Sequence, residues 1–101
     1  MQVIRARQLP TSALEAAAEF YATMMPGIMG QLAEDLVLLF APASHDHRGW
    51  RLAVIQDLAR AAAPFRVNGV VGDDEQSIAA TLAWLEQAPA VTGQLLSVQA
   101  G

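Results

Sequence analysis

Five consecutive apolar residues, Leu36-Val37-Leu38-Leu39-Phe40, run on into Ala41 and stop at Pro42. Side chains alternate faces along a strand, so a run without polar alternation must be covered on both sides. Residues 36–42 are also short for a helix, and Pro42 bounds them. They therefore predict a central strand of a parallel sheet, with apolar cover above and below.

The flanking segments supply that cover. Residues 2–9 begin β-prone and place Arg5 and Arg7 among apolar neighbours, as in an edge strand where charge blocks unwanted pairing. Pro10 ends this segment. Thr11 or Ser12 is placed to cap a helix, with Glu15 three residues after Ser12 as in a capping box. Leu14, Ala18, Tyr21, Met25, Ile28 and Leu32 then recur at alternating spacings of four and three, which predicts one continuous helical stripe. Phe20 and Met24 form a second row beside it, and Pro26-Gly27 should kink or split the helix.

Beyond the central strand, a helix is predicted from about Gly49 to Ala63. It carries one row of Leu52, Ile55, Ala59 and Ala62 and another of Trp50, Val54, Leu58 and Ala61. One row can face the sheet; the other needs a different partner. Pro64 closes this helix and residues 66–71 form a third strand. Gly72-Asp73-Asp74 is a turn whose aspartates can cap a helix over 75–87, with Gln76 placed to answer Asp73. That helix presents Ile78, Leu82 and Leu85, with Ala79, Ala83 and Trp84 alongside, and residues 94–98 form a last strand. The order β-α-β-α-β-α-β predicts a parallel sheet with right-handed connections.

A length of 101 residues suits a single domain, 1–101. The chain is 53% hydrophobic but only 16% charged, against about 25% in ordinary globular domains. That shortfall predicts surface buried against another chain. A net charge of −4 argues against nucleic-acid binding, which needs a basic patch to displace counterions. All six basic residues are Arg, which together with the many alanines suits a GC-rich bacterial genome. The lack of cysteine excludes a disulfide framework and a thiolate zinc site. The first residues lack the apolar core of a signal peptide and no segment approaches a membrane span, so a cytoplasmic location is expected.

One cluster carries reactive groups: Ser44, His45, Asp46, His47 and Arg48. It follows the C-terminal end of a strand, where open α/β sheets bind ligands. Two imidazoles, a carboxylate and an Arg near a helix start could hold a metal or an anion. The plainer account is capping by Ser44 or Asp46 with the histidines solvated; no third, distant His exists to complete a metal site. Asp73-Asp74-Glu75 reads as an acidic first turn complementing the helix dipole rather than a cation site. Trp50 and Trp84 fall on apolar rows and suit core or interface packing better than ligand stacking. Met24, Met25 and Met29 belong to the first helix, and Ser44 lacks a nucleophile elbow.

Several segments resemble the short-chain dehydrogenase/reductase superfamily. Leu58-Ala59, Ala63-Pro64 and Arg66-Val67-Asn68 are similar to that family's passage from the helix after the catalytic tyrosine into the next strand. Ala90-Val91-Thr92-Gly93-Gln94-Leu95-Leu96-Ser97-Val98 resembles its closing strand, Asp74 to Leu85 the helix between, and Met25-Pro26-Gly27-Ile28-Met29 with Asp35-Leu36-Val37-Leu38-Leu39 an earlier helix and strand. The resemblance covers about residues 15–101 in unbroken order. It implies the C-terminal half of a doubly wound sheet: a truncated Rossmann-like α/β domain of about four parallel strands and three crossover helices. It also implies subunit contacts through the helices over 11–33 and 49–63.

The departures bear on activity. The family's glycine-rich dinucleotide turn has no counterpart, since the chain is expected to begin after it. Counted back from Pro64, Ser44 stands where the catalytic Tyr belongs and Arg48 where the Lys belongs, while the family serine falls near Ala41. The following loop is shorter by about ten residues than the pattern requires. Arg stays protonated and cannot serve as a tunable amine. Gly72-Asp73 replaces the Pro-Gly beside the nicotinamide; Asn68 alone is retained. The reading is a non-catalytic domain without cofactor or metal, acting as a homodimer or higher homo-oligomer through helices 11–33 and 49–63. The competing readings are an accessory subunit completing a dehydrogenase-like partner, or a small ligand- or metal-binding enzyme using Ser44–Arg48. Neither nucleic acid nor membrane is an expected partner.

Overall fold

The computed structural model describes residues 1–99. Its centre is β2 (Leu36–Phe40), buried at every position as the apolar run requires. Leu36, Leu38 and Phe40 point to one face and Val37 and Leu39 to the other, into two separate apolar clusters. β1 (Gln2–Arg5), β2, β3 (Val67–Val71) and β4 (Leu95–Ser97) lie side by side in chain order, all parallel. The α/β prediction holds, and β1 is an edge strand as its arginines suggested.

That strand is shorter than the predicted 2–9. The last bond to β2 is Ala6 N–H to the Leu39 carbonyl at 2.8 Å, after which the chain leaves the sheet and Leu9 packs against the core.

The first crossover has three pieces. α1 (Ala13–Glu19) is capped by Ser12, whose Oγ accepts from Glu15 N–H at 3.2 Å. A π turn over Phe20–Met24 follows, then α2 (Met25–Gly30), with Pro26 in its first turn. The single stripe predicted from Leu14 to Leu32 is therefore wrong. A π turn closes i→i+5 bonds and inserts extra rotation, so inward positions before and after it do not share one α-helical register. Ala16 and Phe20 are buried upstream and Met25 and Ile28 downstream, a spacing of five across the turn. Leu14 is left 82% exposed, and Tyr21 and Met29 also face solvent.

α3 (Arg48–Ala62) buries Ile55 and Ala62 from one predicted row and Val54 and Leu58 from the other. All four join the same cluster as Phe20, Met25 and Ile28. Most of the second row thus finds its partner in the helices of its own chain, and only Ala61 is left out.

α4 (Glu75–Glu86) covers the opposite face, with Ile78 and Leu85 against Val37, Leu39 and Val70. Asp74, rather than Asp73, caps it by accepting from Ser77 N–H at 2.8 Å. The Ser77 side chain, together with this backbone bond, holds the Asp74 carboxyl below its ordinary range. Trp84 is 55% exposed, so the row containing it faces outward and is not core.

The three crossovers step across the sheet in one direction, yet the third uses the other face. They cannot all share one hand, so the expectation of uniformly right-handed connections fails. With the first two obeying the near-universal rule, β3–α4–β4 is left-handed. The cause is occupancy: α3 already covers β3 and reaches Leu95 of β4, leaving the face with Val70 and Leu96 to be covered.

Two polar clasps tie the sheet ends. Asp35 accepts from the Arg66 backbone N–H at 2.8 Å and from Nε at 3.0 Å, while Nη1 of Arg66 donates to the carbonyls of Leu85 and Ala88. Asn68, 2% exposed, donates to the Val91 carbonyl and accepts from Gln94 N–H.

Candidate functional site: the cleft at the strand C-termini

Parallel strands leave open ground beyond their C-terminal ends. Here the connections after β1 and β2 and the first turn of α3 enclose a cleft of about 510 Å³, bordered by Leu9, Pro10, Phe40, Pro42, Trp50 and Arg51. A second cleft of about 290 Å³ lies toward the ends of β3 and β4, and shares Ser44, His47 and Arg51 with the first. The structure thus brings Ser44, His45, His47 and Arg48 to these clefts. It leaves Asn68 outside them, occupied in its clasp.

The reactive cluster is wired for structure. His45–His47 form a 3-10 turn leading into α3. His47, 5% exposed, meets the Thr11 carbonyl with Nε2 at 2.8 Å, and its Nδ1 accepts the Trp50 indole N–H at 3.1 Å. Indole nitrogen only donates, so the ring is the Nε2–H tautomer with no lone pair left for a metal or a substrate proton. Ser44 gives its hydroxyl to Asp46, and that bond is the main reason the Asp46 carboxyl sits below its usual range. Neither residue caps the helix through its side chain. Ser, His and Asp therefore sit close together without forming a nucleophile–base relay. Among the described residues, no group of three or more His, Cys, Asp or Glu could hold a metal ion.

Three aromatic rings pack together at the cleft, Phe40 and Trp50 among its lining. The ring centroids of Phe20, Phe40 and Trp50 lie 5.5–6.1 Å apart. Arg51 lies against this cluster, its guanidinium 4.9 Å from the Phe40 centroid and 5.7 Å from that of Trp50. Sequence reasoning missed Arg51, although the signal was present. Positions 51, 54, 55, 58 and 62 make one helical face, and an Arg heads a row that is otherwise apolar. Arg66 was missed too, its role depending on carbonyls of Leu85 and Ala88 that only the tertiary fold brings near.

Among the described residues, the turn after β3 does not fit a dinucleotide. Gly72, after β3, would push a Cβ to 2.6 Å from Val98, so this glycine serves strand packing. The next residues, Asp73 and Asp74, oppose a pyrophosphate at the start of α4.

A four-stranded parallel sheet between two helical layers, with its last crossover reversed, defines a Rossmann-like α/β protein. The chain belongs to the short chain dehydrogenase-like family, which matches residues 4–98. Comparison with the curated proteins and with the solved structures found no match. Among the described residues, no helix is long and apolar enough to cross a membrane.

Proposed function

We propose that this chain is a non-catalytic short chain dehydrogenase-like domain that acts by self-association. The observation that carries the reading is the set of large apolar side chains left in solvent on the helical layer. These are Leu14, Tyr21 and Met29, with Phe65 just past α3. Leu32 and Ala61 line a groove between Met29 and Phe65, with buried Leu58 at its floor. Burying about 800 Å² on each subunit suffices for a stable dimer. The cleft supports the reading: of the two residues that a gapless count sets where the family has its Tyr and Lys, Ser44 is bonded to Asp46 and Arg48 is an exposed guanidinium.

The test is size-exclusion chromatography with light scattering at micromolar concentration. A dimer or larger species that dissociates in Leu14→Glu and Met29→Glu, with secondary structure retained, supports the reading. A strict monomer refutes it. A second reading rests on β1. This strand has β2 on one side, no described strand on the other, and Val3 is 42% exposed on the face that α4 covers elsewhere. A dehydrogenase-like partner could add a strand there. A stoichiometric complex with such a chain, purified from the native host, would favour this reading over self-association.

A further inference from the structure

We propose that Arg51 and the cleft between the β1 and β2 connections form a binding site for a small organic monocarboxylate. Arg51 is 8% exposed, and its one described hydrogen bond runs from Nη1 to the Ala41 carbonyl at 2.9 Å. Its Nε is buried without an acceptor. The described ion pairs belong to the Met1 amine, Arg5, Arg60 and Arg66, so Arg51 is a buried cation with no anion beside it. Burying a charge without a counter-ion opposes folding, and the Phe40 and Trp50 rings offset only part of that cost, which leaves room for an anion to supply the rest. Burial lowers the Arg51 pKa, and no neighbouring carboxylate opposes that shift.

The charge pattern points the same way. The chain has ten acidic residues against six basic. Yet Arg7, Arg48 and Arg51 border the two clefts, and no Asp or Glu lines either. This is an acidic protein with a cationic mouth at the strand C-termini.

The walls select within anions. Leu9, Pro10, Pro42 and Trp50 give the cleft an apolar wall beside polar Gln8 and Thr11, which suits a ligand with a compact apolar body and one polar end. One buried guanidinium balances one negative charge, and its planar donors match a carboxylate. Arg7 and Arg48 are exposed and screened by water, so only Arg51 acts inside the apolar part of the cleft, and the second charge of a phosphate would go uncompensated there. Neither Leu14 nor Met29 lines the cleft, and the site does not rest on self-association.

Trp50 and Trp84 provide the readout in the whole protein. The indole N–H of Trp50 is bonded to His47 beside the cleft, whereas Trp84 is exposed on α4 and serves as internal reference. Nitrogen–proton correlation spectra are recorded while propionate, propionamide or inorganic phosphate is added. Expected is a saturable shift of the Trp50 indole signal by propionate at millimolar concentration, with propionamide weaker by about tenfold or more. Phosphate should also be weaker, and the Trp84 signal should stay in place. Arg51→Gln should abolish the propionate response. If that variant does not fold, the propionate–propionamide comparison decides alone, since it needs no substitution. Equal responses to acid and amide, tighter binding of phosphate, or no saturable shift would each overturn the assignment.

Discussion

Gly69→Ala tests whether α3, β3 and β4 meet as closely as described. A methyl at position 69 would lie 2.8 Å from Cδ1 of Leu95, 2.9 Å from Cγ1 of Ile55 and 3.0 Å from its Cδ1. Real carbon contacts are not this short. Ile55 is fully buried and Leu95 is 9% exposed, so neither side chain can swing into solvent. Overpacking of this kind costs about 1–3 kcal/mol. The reduced freedom of the unfolded chain offsets about 0.4–1 kcal/mol of that. A net loss of about 1–2 kcal/mol remains, which in a domain of this size lowers the melting temperature by about 5–15 °C. Gly27→Ala is the internal control. Nothing lies within 4 Å of its Cβ position, and it sits in α2, where Ala is favoured over Gly by about 0.5–1 kcal/mol. Thermal and urea unfolding followed by circular dichroism should move the two variants in opposite directions. A Gly69→Ala protein as stable as the parent would refute the packing at β3.

In the Met29→Glu background, which removes self-association, the π turn predicts that Leu14→Ala changes stability by less than about 0.5 kcal/mol whereas Phe20→Ala costs about 3–5 kcal/mol; similar losses in urea unfolding would restore the continuous stripe. For Asp35, the bonded Arg66 backbone N–H holds the carboxyl below its ordinary value. The folded pKa lies below the unfolded one near 3.9, so this contribution to stability is complete above that value and drains as pH falls through the folded pKa. Asp35→Asn should accordingly flatten the fall of the urea midpoint between about pH 5 and pH 2, and an unchanged slope would contradict the clasp. His47→Ala strands the Thr11 carbonyl and the Trp50 indole N–H, and should cost about 2–3 kcal/mol in chemical unfolding. An exposed, unengaged His47 would give almost none.

Much of the fold was legible because it follows from local pattern. Residues 36–40 could only be a doubly covered strand, and prolines 10, 42 and 64 punctuate the segments where the chain turns. Asp74 was legible as a cap because its acceptor lies three residues from the donor it satisfies. The candidate site was legible only in outline. The cluster from Ser44 to Arg48 does lie beside the clefts, but its bonding inverts the chemical reading. His47 closes on Thr11, 36 positions away, and a distant carbonyl leaves no mark on neighbouring residues.

Sequence alone determined the alternation of strands and helices, the parallel sheet and the edge position of β1. Each is a property of residue type and near-neighbour spacing. Tertiary structure decided three further matters: which helical residues face inward across the π turn, which face of the sheet α4 takes, and that Arg51 is buried without a counter-charge. These depend on what already occupies the space. A π turn changes register by backbone geometry, α3 occupies the face that α4 would otherwise take, and charge compensation depends on groups the fold brings together or leaves apart.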